Sequence, residues 1–168
     1  MRLVKPTSKY KESFIGMVRE FQIEERKKDL DTKKLEHNFS SFVKNMSDYE
    51  KGKNLPKGHV PSSYYWLLDK SKIIGETTIR HKLSKELIKQ GGHIGYGIRP
   101  TERRRGYGKK VLTLALKKAK KLGIKKALIT CDDSNIGSWK IIEANGGILS
   151  EKNKLNGKLK RYYWIRIK

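Results

Sequence analysis

At 168 residues the chain is long enough for one domain with a real hydrophobic core and too short for two, so we expect a single domain over 1–168. One cysteine, Cys131, excludes an intrachain disulfide and a cysteine-based zinc site, and no apolar run approaches the roughly 20 residues that span a bilayer. The 40 Lys and Arg against 17 Asp and Glu give a net charge of +23, which suits an anionic partner, whether a nucleic acid or a small polyanion; a lysine-rich solvated surface is the plain alternative.

The opening Met1-Arg2-Leu3-Val4-Lys5-Pro6 reads as a short strand and lacks the apolar region of a secretory signal, so a cytoplasmic location is expected. Ser8 offers an N-cap to a helix with Tyr10, Phe14, Met17, Val18 and Phe21 on one stripe. A second helix is predicted from about Leu35 to Met46, and Gly52 to Ser63, with Pro56, Gly58 and Pro61, reads as a loop. Strands Tyr64 to Asp69 and Ile73 to His81 form a hairpin across Lys70-Ser71. Lys82 to Gln90 reads as a short helical excursion ended by Gly91-Gly92. His93 to Arg99 then alternates until Pro100 stops it.

From Gly106 to Leu122 the period becomes helical, with Val111, Ala115, Ala119 and Leu122 on one face and the lysines largely outside it. Ala127 to Cys131 is a buried-type strand, Asn135 caps a helix to about Ala144, and Tyr162 to Ile167 is a final strand. The order β-α-α-β-β-β-α-β-α-β-β describes an α/β fold, with a mixed sheet of about 6 to 7 strands between about 4 helices.

The run Ile98-Arg99-Pro100-Thr101-Glu102-Arg103-Arg104-Arg105-Gly106-Tyr107-Gly108-Lys109-Lys110 takes a strand through a tight basic loop into a helix. Such a turn binds anions, because the first amides of a helix have no internal partner and carry the positive end of its dipole. Gly106 and Gly108 let backbone approach phosphates closely. It is not a phosphate-binding P-loop, since Lys110 replaces the Ser/Thr, nor a dinucleotide fingerprint, since Val111 stands where a third glycine belongs.

Arg103-x-x-Gly106-x-Gly108 after Ile98-x-Pro100 resembles the acetyl-CoA signature of the GCN5-related N-acetyltransferases (GNAT). Asn135, Ser138, Glu143 and Gly146 resemble the second half of that pattern, and the two motifs span roughly Ile73 to Ile148. Gly75-Glu76, Ile79-Arg80-His81, Gly91 to Pro100, Thr130-Cys131-Asp132 and Asn145-Gly146-Gly147 are also similar to a bacterial branch of predicted acetyltransferases. The resemblance implies an acetyl-CoA-dependent N-acetyltransferase acting on a primary amine by direct attack in a ternary complex, without a metal. Amides from Arg103 to Lys109, through Arg104, Arg105, Gly106, Tyr107 and Gly108, would hold the pyrophosphate. The main chain of Gly97, Ile98 and Arg99 would pair with the pantetheine arm. Asn135 and Ser138 would touch that arm, or Asn135 would only cap its helix. The strands Ile94 to Ile98 and Ala127 to Cys131 would splay apart to admit the thioester.

The tyrosine that many members place seven residues after the motif asparagine is Ile142 here, so another proton donor serves or the thiolate leaves unaided. Candidate bases for the acceptor ammonium are His93, at the start of the fourth strand, and Glu76 on its neighbour. His93 could also be a strand-end residue, Glu76 a cross-strand ion pair, and Tyr96 core or cleft wall. Arg80 and Arg99 either clamp an acceptor carboxylate or are solvated. The acceptor is an unidentified amine, with a ribosomal-protein or RNA-bound substrate, or a silent CoA-binding or nucleic-acid-binding domain, as alternatives. Monomer and homodimer both fit.

Overall fold

The computed structural model describes residues 1–168. Strand β1 (Arg2–Val4) leads through a 3₁₀ turn at Ser8–Tyr10, capped by Thr7, into α1 (Lys11–Ile23). The helix buries Phe14, Ile15, Met17, Val18 and Phe21, the stripe expected of its 3.6-residue period. The second helix is broken in two, α2 (Thr32–His37) and α3 (Phe39–Glu50). Asp31 caps α2 through the Lys33 and Lys34 amides, and Asn38 leaves helical geometry at φ −132 and ψ 42. An Asp cap, which accepts from unpaired first-turn amides, moves the start forward from Leu35.

Strands β2 (Ser62–Asp69) and β3 (Lys72–Arg80) form the hairpin, followed by α4 (Lys85–Lys89) and β4 (Ile94–Ile98). The remainder is α5 (Tyr107–Lys121), β5 (Lys126–Asp132), α6 (Ile136–Glu143), β6 (Ile148–Leu155) and β7 (Lys158–Arg166). The strands therefore match the expected order; the split helix and the short α4 raise the helix number above expectation.

Two antiparallel sheets result, ordered β1-β2-β3-β4 and β5-β7-β6. Helices α1 to α3 cover one face, packing Phe14, Phe21 and Phe39 against the cluster of Trp66 on β2, where Phe14 stacks on Trp66 at 4.8 Å between ring centroids. On the other face α5 places Leu112, Ala115 and Ala119 against Ile79, Ile94, Ile129 and Tyr163. Burying both faces in this way supplies the main stabilising free energy, about 25 cal/mol per Å² of apolar surface removed from water. No helix is long and apolar enough to cross a membrane.

β4 and β5 border each other without a ladder. They meet at an isolated bridge, Gly92 to Ile129, and at His93, whose amide donates to Leu128 O at 2.7 Å while its Nδ1 accepts from Leu128 N at 3.0 Å. Beyond that clasp the two strands part.

Candidate active site

Pro100 opens a 3₁₀ turn over Pro100–Glu102 that ends β4, and Glu102 anchors the basic loop from below. Glu102 is 5% exposed and pairs with Lys72 and with Arg105, the latter at 2.6 Å. Arg103 forks onto Glu24 with contacts of 2.7 and 2.6 Å and donates to Ile98 O at 3.3 Å. Arg99 is drawn to Glu20 at 2.7 Å and to Ser13 O at 3.4 Å, so its charge is neutralised by α1. Arg104, at φ +63, has no acidic partner.

Gly106 then takes φ +77 and starts α5 without a side-chain cap. A left-handed residue turns the chain sharply into the helix, which glycine does without a Cβ penalty. The N–H groups from Arg104 to Lys109 have no acceptor within the protein, and the first backbone bond of the helix is Lys110 N to Gly106 O at 3.3 Å. These amides point the positive end of the α5 dipole at the loop. Gly108 also lets α5 and α6 approach, because a Cβ there would displace the Ile141 side chain of α6. It is buried at the α5–α6 contact.

A cavity of about 520 Å³ lies over this turn. Of the residues expected to hold a cofactor, Gly97, Ile98, Arg103, Arg104, Gly106, Tyr107, Gly108, Lys109, Asn135 and Ser138 line it; Arg99 and Arg105 do not. Arg26, from the segment after α1, also lines it and lies over the Phe21 ring at 4.9 Å. Nothing in the local sequence marks Arg26, because the chain reaches the cavity only through the packing of α1.

The cavity reaches Tyr96 of β4, whose side chain crosses toward α6. Its hydroxyl donates to Ser138 O at 3.1 Å and shares a 3.0 Å hydrogen bond with Ser138 Oγ. Burial pushes the Tyr96 phenol up to about 12, opposed by the Ser138 bond. Asn135 Oδ1 accepts from Ser138 N at 3.0 Å, so it does cap α6, and it lines the cavity as well. A second cavity of about 270 Å³ lies on the far side of Tyr96, Asn135 and Ser138, which border both. Cys131 lines the second cavity, and burial raises its thiol to about 11, keeping it protonated at neutral pH.

The two candidate bases sit apart from these cavities. His93 Nδ1 accepts the Leu128 N–H, which in the neutral ring leaves the proton on Nε2, so no lone pair is free. Burial and then Arg80 lower its pKa. Glu76 forms an ion pair at 2.6 Å with Lys27, from the segment between α1 and α2, and so its partner is not across the strands. Its Cγ lies 4.0 Å from the point a Cβ on Gly97 would occupy. Ile142 is fully buried among core side chains.

A sequence profile of the acetyltransferase (GNAT) domain matches residues 8–148. No curated protein matches the chain in sequence. Among solved structures, the microcin C7 self-immunity acetyltransferase MccE, in complex with acetyl-CoA and AMP, superposes with a TM-score of 0.70 at 20% identity, over 98% of this chain and 91% of that one. RimL, the ribosomal L7/L12 alpha-N-protein acetyltransferase in complex with coenzyme A, gives 0.69 at 15% identity over 98% and 93%. A GNAT-family acetyltransferase from Streptococcus pneumoniae gives 0.69 at 12% identity over 99% and 98%. The chain belongs to the GNAT family of acetyltransferases, and is thus an acyltransferase.

Proposed function

We propose that this protein transfers the acetyl group of acetyl-CoA to a primary amine by direct attack within a ternary complex. The observation that carries the reading is the run of unpartnered amides from Arg104 to Lys109, opening on a cavity that leads to Tyr96 on the edge of β4 that forms no ladder with β5. A pyrophosphate accepts those N–H groups, while Arg26, Arg104 and Lys109, none of which has a carboxylate partner, add positive charge. The free edge of β4 at Gly97, Ile98 and Arg99 receives the pantetheine arm as an added strand.

The thioester then lies near Tyr96, and the amine lone pair attacks its carbonyl carbon. The carbon–sulfur bond breaks, the departing thiolate takes a proton from the Tyr96 hydroxyl, and the proton that the attacking nitrogen sheds as the amide forms passes to the Tyr96 oxygen and restores the phenol. Glu76, which pairs with Lys27 and lines neither cavity, is the base retained here and acts on the amine through a water relay; His93 is assigned to holding β4 to β5. A protonated, buried Cys131 favours direct attack over an acyl-cysteine intermediate.

Acetyl-CoA at about 100 times its Kd should stabilise the protein by roughly 2.7 kcal/mol. Gly106→Asp should abolish that shift, because it adds a side chain and a negative charge at the turn. A melting temperature unmoved by millimolar acetyl-CoA, or a Gly106→Asp protein that responds like wild type, would overturn the reading.

A further inference from the structure

We infer that the acceptor is a small amine bearing a carboxylate, and that Arg80 binds that carboxylate in the second cavity. The inference rests on the proposed transfer reaction, since it names the class of molecule that enters from the side opposite the acetyl donor.

Arg80 differs from the other part-buried arginines. Arg99 has Glu20, Arg103 has Glu24 and Arg161 has Asp133, whereas no carboxylate lies within 4.0 Å of Arg80. Nη1 is its one committed nitrogen, donating to Gly91 O at 3.2 Å and Gly92 O at 3.1 Å. Nε and Nη2 have no acceptor in the protein. That edge of a guanidinium offers two parallel N–H groups, which match the two oxygens of a carboxylate. A desolvated cation without an anion is costly, and the fold retains this one.

The cradle is built. Gly91 and Gly92 take φ +106 and +64, a conformation that favours glycine, and Gly91 N donates to Thr130 Oγ1 at 2.8 Å. A Cβ on Gly92 would collide with Leu128 O, so the double glycine is needed both for its turn and for its approach to β5. The result turns two carbonyls onto Nη1 and fixes the guanidinium. Gly95 leaves open the side of β4 facing it, with Nη2 3.8 Å from where its Cβ would be. The cavity has room for a molecule of amino-acid size. Asp132, the one acid lining it, is held by Lys160 and does not neutralise Arg80. Tyr96 and Ser138 border both cavities, which brings the amine of a molecule anchored at Arg80 toward the acetyl group.

The test is an acetylation screen of amino acids, their carboxamides, the matching decarboxylated amines and O-phosphoethanolamine, followed by release of CoA thiol. Thermal shift with acetyl-CoA runs alongside. At least one free amino acid should be acetylated with kcat/KM on the order of 100-fold above its carboxamide. Arg80→Gln should shrink that ratio to about 3-fold or less, mainly through KM, with the acetyl-CoA shift kept. Should Arg80→Gln fail to fold, Arg80→Lys keeps the charge, loses the fork, and should cut the ratio about 10-fold. Equal use of acid and carboxamide, preference for the phosphate compound, an unchanged ratio in either variant, or no acetylation by a protein that acetyl-CoA stabilises would each overturn the inference. Loss of the acetyl-CoA shift in wild type would instead remove the transfer reaction beneath it.

Discussion

Tyr96 has its hydroxyl fixed by two contacts to Ser138 and a phenol that burial keeps protonated, so at neutral pH it holds a proton to give and is not a base. In the proposed reaction a thiolate formed beside it would gain a proton from the strand side of the gap. Ile142 cannot contribute one, being apolar and enclosed by the core. Tyr96→Phe should lower kcat about 10²-fold while the acetyl-CoA thermal shift stays intact. Ile142→Val should leave turnover nearly unchanged and cost about 0.5 to 1.5 kcal/mol in a denaturant titration. Wild-type turnover by Tyr96→Phe would assign the proton to water. At this scale the sequence was only partly legible. The glycines and arginines of the basic turn are adjacent in the chain, so their spacing could be read directly. Tyr96 and Ser138 meet across 42 positions, and alternation within β4 could not tell a wall from a donor. Arg103 and Arg105 looked equivalent to Arg104 until Glu24 and Glu102, brought in by packing, claimed them.

Among the elements, the seam between β4 and β5 decides the architecture. His93, the Gly92–Ile129 bridge and the Gly91 bond to Thr130 hold it, with Leu128 exchanging both of its backbone groups with His93. Removing the ring strands the Leu128 N–H, and a buried unsatisfied donor costs about 1 to 3 kcal/mol. His93→Ala should therefore lower stability by that amount. Its kcat should retain the pH profile of wild type once measured on the folded fraction; loss of an ionisation from that profile would restore His93 as the base. Helices and strands were readable because each carries its own period, as α1 and β4 show. The break at Asn38 was less so, because Leu35, Phe39, Phe42 and Val43 keep a helical spacing across it while the Asp31 cap fixes the start earlier. The seam was expected only from the resemblance, as hydrogen bonds missing between distant strands leave no pattern in a sequence.

For the molecule as a whole, stability should fall on acidification in two stages. Burial depresses the pKa of both His81 and His93 below the ordinary 6.5, so the unfolded chain binds these protons first. Their contribution is complete above about pH 6.5 and drains away as pH falls through the depressed folded values. Glu20 and Glu50 follow lower down. Burial opposes their ionisation, but hydrogen bonds from Arg99 and Thr101 to Glu20, and from Lys5 and Ser63 to Glu50, outweigh it and keep both below 4.5. Their share persists above that value and is lost beneath it. Calorimetry from pH 8 to 4 should show a level melting temperature above neutrality, a first decline below about 6.5 and a steeper one below about 4.5. A melting temperature that climbs between pH 7 and 5.5 would contradict the histidine assignment.

The unpartnered N–H groups at the start of α5 also bear on how the protein behaves at the bench. Donors without a protein acceptor turn to whatever the solvent offers, and oxyanions satisfy several at once. Inorganic phosphate and sulfate are thus expected to act as competitors. An assay buffered with either should report a raised KM for acetyl-CoA and an unchanged kcat, whereas the same assay in a zwitterionic buffer at matched ionic strength should not.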